Sequence, residues 1–178
     1  MSKTKPIINS YQVDERIYAG EYARDLNNPQ IKVDALVNFG ITHFIDLTEE
    51  GELASYKEYL PENCCHCRFP IRDVSVPSEC KSVYELMKYL DTVLSDPDNK
   101  IYIHCWGGVG RTGLIVGCYY VYRGEAYKQA LVHLGESFKQ CPKSERRRTP
   151  ETREQEDFIK DFARYIKLID SDFFNNKQ

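Results

Sequence analysis

Residues 100–121 constrain the chain most. Residues 100–104, KIYIH, form the short apolar kind of run that becomes a buried strand in an α/β sheet. The run passes into a glycine-rich stretch, residues 105–113, and then directly into LIVGCYYV, residues 114–121, which reads as an apolar helix. A tight glycine loop between a strand and a helix start can turn several backbone N–H groups toward one point, and that point attracts an anion.

The remaining sequence fits around this unit. Arg16 to Gly20 reads as a short strand. A helical pattern begins at Pro29, carries Ile31, Ala35, Leu36 and Phe39 on one face, and stops at Gly40. Residues 41–47, ITHFIDL, read as a buried strand, and residues 65–71, CHCRFPI, as a second inner strand. Val83, Leu86, Leu90, Val93 and Leu94 repeat at a helical period, and Ser82 with Glu85 matches a capping box. Residues 125–138 and the stripe Phe158, Phe162, Ile166, Ile169 predict two further helices. Strands alternating with helices imply an α/β fold around a largely parallel sheet. At 178 residues the chain is long enough for one domain, expected over residues 11–170, with a flexible lead-in at 1–10 and a tail at 171–178.

Composition narrows the function classes. The formal charge of −3 argues against a general grip on nucleic acid or anionic lipid, so an anion site must be local. No apolar run reaches the length of a membrane span, and the first ten residues lack a secretory pattern, which gives a cytoplasmic expectation. Seven cysteines, an odd number, point to free thiols rather than a disulfide framework.

The spacing Cys-x5-Arg occurs twice, at Cys105 and Arg111 and at Cys141 and Arg147. The second copy follows a helix, lacks glycine, and contains Pro142, which has no N–H, and Glu145, which repels anions. In the first copy Gly107, Gly108 and Gly110 permit an inward nest of amides that Trp106 and Val109 complete, and Arg111 falls at the helix start with paired donors for two phosphate oxygens. The same positive field favours the thiolate of Cys105, a nucleophile, and Thr112 is placed to donate its hydroxyl to the sulfur.

His104-Cys105-x5-Arg111-Thr112 after an apolar strand resembles the signature loop of the cysteine-dependent protein tyrosine phosphatases, and the RTG ending with the short chain is most similar to the dual-specificity and atypical branch. The resemblance implies a three-layer fold with four to five strands flanked by helices. It also implies a phosphocysteine intermediate, no cofactor and no metal, with a phosphorylated protein or peptide as partner.

The leaving oxygen needs a proton. Asp73, in a loop after a strand, resembles the family's general acid; Asp46, at another strand end, is the competing carboxylate. Residues 149–155, TPETREQ, resemble the segment that orients the hydrolytic water. Glu151 stands where that pattern has its first glutamine, so Gln155 alone carries over.

Other readings bear on the same residues. His104 is either a packed strand residue or a support for the loop, and Trp106 lines the pocket mouth. Cys64 and Cys67 have zinc-like spacing but lack a second ligand pair, so strand thiols are expected. Arg146, Arg147 and Arg148 form a solvated basic run or draw in anionic substrates. The leading function is a phosphatase for phosphotyrosine, with phosphoserine and phosphothreonine also open. The alternatives are an inositol phosphate, phosphoinositide or RNA 5′ phosphatase, or a silent phosphate-binding module.

Overall fold

In the computed structural model, residues 5–175 are described. Five strands, β1 (Ser10–Asp14), β2 (Ile17–Gly20), β3 (His43–Asp46), β4 (Cys65–Arg68) and β5 (Ile101–His104), form one sheet in the order β1-β2-β5-β3-β4. The pairs β2–β5, β5–β3 and β3–β4 are parallel; β1 is antiparallel to β2. The helices are α1 (Ile31–Asn38), α2 (Cys80–Leu94), α3 (Gly110–Tyr122), α4 (Tyr127–Phe138) and α5 (Arg153–Asn175). The largely parallel α/β expectation therefore holds, with one antiparallel edge added.

Strand alternation divides the core in two. Ile17, Ala19, Ile45, Ile101 and Ile103 face α2 to α5, whereas Tyr18, Phe44 and Tyr102 face Val33 and Leu36 of α1. Helix α3 lies at the centre of the thicker layer. It is buried on every side from Gly110 to Val121, which accounts for the apolar run of residues 114–121.

Several expectations change. Residues 65–71 do not form an inner strand: β4 ends at Arg68, lies at the sheet edge and is only partly buried. The Ser82 capping box is not formed, because α2 already begins at Cys80; Ser82 Oγ donates to Glu79 O at 2.8 Å and Glu85 pairs with Lys88. A true capping box occurs at the start of α5, where the Gln155 N–H donates to Thr152 Oγ1 at 3.2 Å and the Thr152 N–H to Gln155 Oε1 at 3.1 Å. Within the expected lead-in, Ser10 is already strand and its hydroxyl donates to Ile7 O at 2.6 Å. Helix α5 runs to Asn175, past the expected start of the tail; residues 1–4 and 176–178 lie outside the described residues.

Candidate active site

The candidate site lies at the carboxyl ends of the parallel strands, where open α/β sheets generally bind their ligands. One row across the sheet aligns Gly20, His104, Asp46 and Arg68. Beyond it opens a cleft of about 640 Å³ whose lining includes Cys105, Arg111, Asp73, Trp106, Lys143 and Gln155.

Residues 105–109 curl into a loop in which four of the five carbonyls meet a donor outside it. His104 Nδ1 lies 3.2 Å from Cys105 O, the Tyr22 N–H donates to Trp106 O at 2.9 Å, and Lys143 Nζ donates to Gly107 O at 2.8 Å. The Thr149 hydroxyl donates to Val109 O at 2.7 Å. Because a peptide unit is planar and trans, each outward carbonyl leaves the next N–H directed inward. The Gly108 N–H accordingly donates to Cys105 Sγ at 3.3 Å. At Gly108 φ is +73°, and a Cβ there would sit 2.3 Å from the carbonyl carbon of Gly20, so the loop closes on β2 only with glycine. The loop thus wraps a buried thiol with the Gly108 N–H turned onto it.

Arg111 occupies the first turn of α3 and is 2% exposed. Its guanidinium meets Glu52 end-on, Nη1 to Oε2 at 2.8 Å and Nη2 to Oε1 at 2.7 Å, and Nη1 also donates to Ile71 O at 3.0 Å. Asp73 Oδ1 stands 3.0 Å from Nη2. The hydrogen bonds from Arg111 hold the Glu52 carboxyl below the usual carboxylate range.

The two candidate acids separate cleanly. Asp73 is exposed at the cleft, whereas Asp46 is fully buried and absent from the lining. Asp46 accepts from the Thr48 N–H at 2.9 Å and the Thr48 hydroxyl at 2.6 Å, and its Oδ2 lies 3.0 Å from His66 Nε2. Burial pushes its carboxyl up, but the His66 and Thr48 hydrogen bonds and the charge of His104 outweigh this and hold it below the usual range.

His104 is fully buried, and burial lowers its imidazole to about 4. Since a carbonyl can only accept, Nδ1 carries the proton toward Cys105 O, and the Tyr56 hydroxyl donates to Nε2 at 2.7 Å. His104 is therefore both a packed residue and a bracket for the first peptide of the loop.

Two expected contacts differ. The Thr112 hydroxyl is buried with no hydrogen-bond partner, so it does not reach Cys105 Sγ here. Gln155 is fully buried in the cleft wall, and its amide is fixed in orientation: Oε1 accepts from Glu151 N–H at 3.0 Å and Thr152 N–H at 3.1 Å, and Nε2 gives one hydrogen to Ser75 O at 3.2 Å. Trp106 is 61% exposed at the mouth, as expected.

Sequence reasoning missed Glu52, Tyr56, Lys143 and Thr149. Thr149 sat within the segment compared with the water-orienting motif and Lys143 within the second Cys-x5-Arg copy; Glu52 and Tyr56 reach the site from a loop with no local signature. The Cys141 copy of the spacing forms the neighbouring wall instead of a second nest, supplying Lys143 and an Arg147–Glu151 ion pair. Arg148 pairs with Glu156, so two of the three run arginines are neutralised locally. Cys64 packs on the α1 face and Cys67 on the opposite face, so the two thiols cannot share one ion. Burial raises the thiols of Cys64, Cys67, Cys80, Cys118 and Cys141.

An inward amide nest around a cysteine, closed by a helix-start arginine at the carboxyl end of the central strand, defines the protein tyrosine phosphatase-like fold. The chain is similar in fold to Tk-PTP in its active form, with a TM-score of 0.73, 22% identity, and coverage of 88% of this chain and 97% of that one. It is likewise similar to a kinase associated phosphatase whose catalytic site cysteine is substituted by serine (TM-score 0.72, 21% identity, 93% and 98% covered). An Arabidopsis thaliana protein, phosphatidylinositol 3,4,5-trisphosphate 3-phosphatase and protein-tyrosine-phosphatase PTEN1, is 40% identical over 70 residues, which is 36% of this chain and 16% of that protein. The family model PTP-SAK, Swiss Army Knife protein, DSP-PTPase phosphatase domain, matches residues 16–159. The chain belongs to this dual-specificity-like family of the cysteine-dependent protein tyrosine phosphatase superfamily. The matches span 16% to 49% of the length of the curated relatives. Among the described residues no helix is long and apolar enough to cross a membrane.

Proposed function

We propose that the chain hydrolyses phosphotyrosine, and phosphoserine or phosphothreonine where the residue reaches the loop, in phosphorylated proteins or peptides. The observation that carries this reading is the position of Cys105 Sγ at the base of a loop that turns the Gly108 N–H onto it while four loop carbonyls are bonded outward. A phosphate seated there faces the thiol, the inward N–H groups and Arg111. Glu52 takes the end of the guanidinium, and a phosphate oxygen competes with Asp73 for Nη2. That exchange leaves the Asp73 carboxyl beside the bridging oxygen.

In the first step Cys105 attacks phosphorus, the bond to the leaving oxygen breaks, and Asp73 gives that oxygen its proton. In the second, water attacks phosphorus, the S–P bond breaks, and the Asp73 carboxylate takes the water proton. The thiolate and inorganic phosphate result.

The rim favours an aryl or peptide ester over a polyphosphate. Leu26, Val74 and Trp106 are exposed at the cleft. The rim cations are already paired: Arg24 with Glu58, Lys32 and Lys143 with Glu21, and Arg147 with Glu151. The likeness to a trisphosphate 3-phosphatase keeps the phosphoinositide alternative in the assay panel. Purified protein should release phosphate from an aryl phosphate and a phosphotyrosine peptide in excess chelator, faster than from inositol phosphates or a 5′-phosphorylated RNA. Undiminished turnover in Cys105→Ser overturns the mechanism.

A further inference from the structure

Asp73 sits on a turn that does not hold itself. The next residue, Val74, is the one non-glycine residue with positive φ among the described residues, at 55°, and a β-branched side chain is disfavoured there. Such an outlier persists only where its surroundings enforce it. Within residues 72–76 the turn makes one internal hydrogen bond, from Ser75 N–H to Arg72 O at 3.1 Å. Asp73 leans on Arg111, a contact that phosphate must displace. Among the described residues, the turn's remaining polar tie to another element is the bond from Gln155 Nε2 to Ser75 O.

The Gln155 amide has no freedom of orientation. Its oxygen must face the Glu151 and Thr152 N–H donors, so its nitrogen must face the Ser75 carbonyl. The oxygen caps α5; the nitrogen reaches across to the acid turn. All of this lies beside Gly110, where a Cβ would come within 3.1 Å of Nε2.

We propose that Gln155 is the positioning residue of the acid turn: its N–H clasps Ser75 O and keeps the Asp73 carboxyl over the phosphate when Arg111 releases it. The role is distinct from orienting the hydrolytic water: it uses the Nε2 hydrogen given to Ser75 O, with Oε1 held by the Glu151 and Thr152 N–H groups. It rests on the reading of Asp73 as the general acid.

The test uses Gln155→Glu and Gln155→Met. Glu still serves as the capping-box acceptor for α5 but cannot donate to Ser75 O; Met removes the donor without adding charge. Each is assayed on aryl phosphates from good to poor leaving groups. Misplacing an acid that supplies about 10²–10⁴-fold should cost kcat/KM about tenfold on the poorest leaving group and less than threefold on the best. The basic limb of the pH profile should flatten in parallel. Equal losses on all substrates mean a structural role only and overturn the proposal. So does a fall in kcat with unchanged kcat/KM and a larger burst, which marks slowed phosphocysteine hydrolysis. Val74→Gly gives a second measurement, since glycine accepts positive φ freely. In that background the Gln155→Glu penalty should shrink at least threefold, and an undiminished penalty overturns the clasp. Wild-type protein without turnover, or an active Cys105→Ser, would instead sink the underlying phosphatase reading.

Discussion

Glu52 holds the Arg111 guanidinium by its end, with Oε1 2.7 Å from Nη2 and Oε2 2.8 Å from Nη1. The pair joins the loop after β3 to the start of α3, and it fixes which edge of the guanidinium remains for a phosphate. Glu52→Gln keeps the shape but removes the charge and one of the two acceptors. Arg111 is 2% exposed while Glu52 retains 17%, so the loss should fall below the roughly 3–5 kcal/mol of a fully buried pair, at about 2 kcal/mol. Because the orientation of the arginine suffers as well, kcat/KM should drop about 10–100-fold. Urea unfolding and steady-state kinetics read the two effects separately; wild-type kinetics in a destabilised variant would show that the pair only supports the fold.

The loop glycines are not equivalent. Gly108 combines φ of +73° with a Cβ position 2.3 Å from the Gly20 backbone, whereas at Gly107 the nearest atom is Arg147 Nη1 at 3.9 Å. Gly108→Ala should cost about 3 kcal/mol and at least about 100-fold in activity, since the nest cannot close. Gly107→Ala should cost under about 1 kcal/mol. Thermal unfolding and aryl phosphate turnover of both variants check this; similar losses would contradict the described loop.

How much of this was legible in the sequence depended on locality. The unit β5–loop–α3 could be read because its strand, glycines and arginine are contiguous, and their spacing alone directs donors toward Cys105. Asp73 was legible as a strand-end carboxylate, but only the fold separates it from Asp46, which turns inward to His66 and Thr48. Glu52 and Tyr56 act on partners 59 and 48 residues away, and no local pattern encodes such a contact. The capping motif was read at Ser82 and overlooked at Thr152. Both match Ser/Thr-x-x-Glu/Gln; what differs is where the helix starts, and this is set by packing.

Acid should weaken the fold through His104. Its folded value of about 4 lies below the ordinary 6.5, so on acidification the unfolded chain takes up the proton first. The stabilisation is complete above pH 6.5 and is lost progressively down to about pH 4, amounting to about 3 kcal/mol over that window. Urea unfolding at intervals from pH 7.5 to 4.5 should show this slope, and His104→Asn should flatten it. Tyr56→Phe strips the donor from Nε2 and should cost about 1–2 kcal/mol at neutral pH. An unchanged slope in His104→Asn would assign the acid sensitivity to other groups.

Asp73 and Asp46 make opposite predictions, and a pair of isosteric variants distinguishes them. The Asp73 side chain is 58% exposed, so its ion pair with Arg111 adds little to stability and Asp73→Asn should move the unfolding free energy by less than about 0.5 kcal/mol. Asparagine has no proton to give, so turnover of esters with poor leaving groups should fall about 10²–10⁴-fold, and far less for good ones. Asp46→Asn places an amide where the Thr48 N–H, the Thr48 hydroxyl and His66 require acceptor oxygens in a fully buried position. It should cost about 3 kcal/mol while leaving the leaving-group dependence as in wild type. If the steep leaving-group dependence arose in Asp46→Asn and not in Asp73→Asn, the proton would have to reach the ester from inside the sheet. The described hydrogen bonds connect Asp46 to His66 and Thr48 and an ion pair connects it to Arg68, and none of them leads to the cleft.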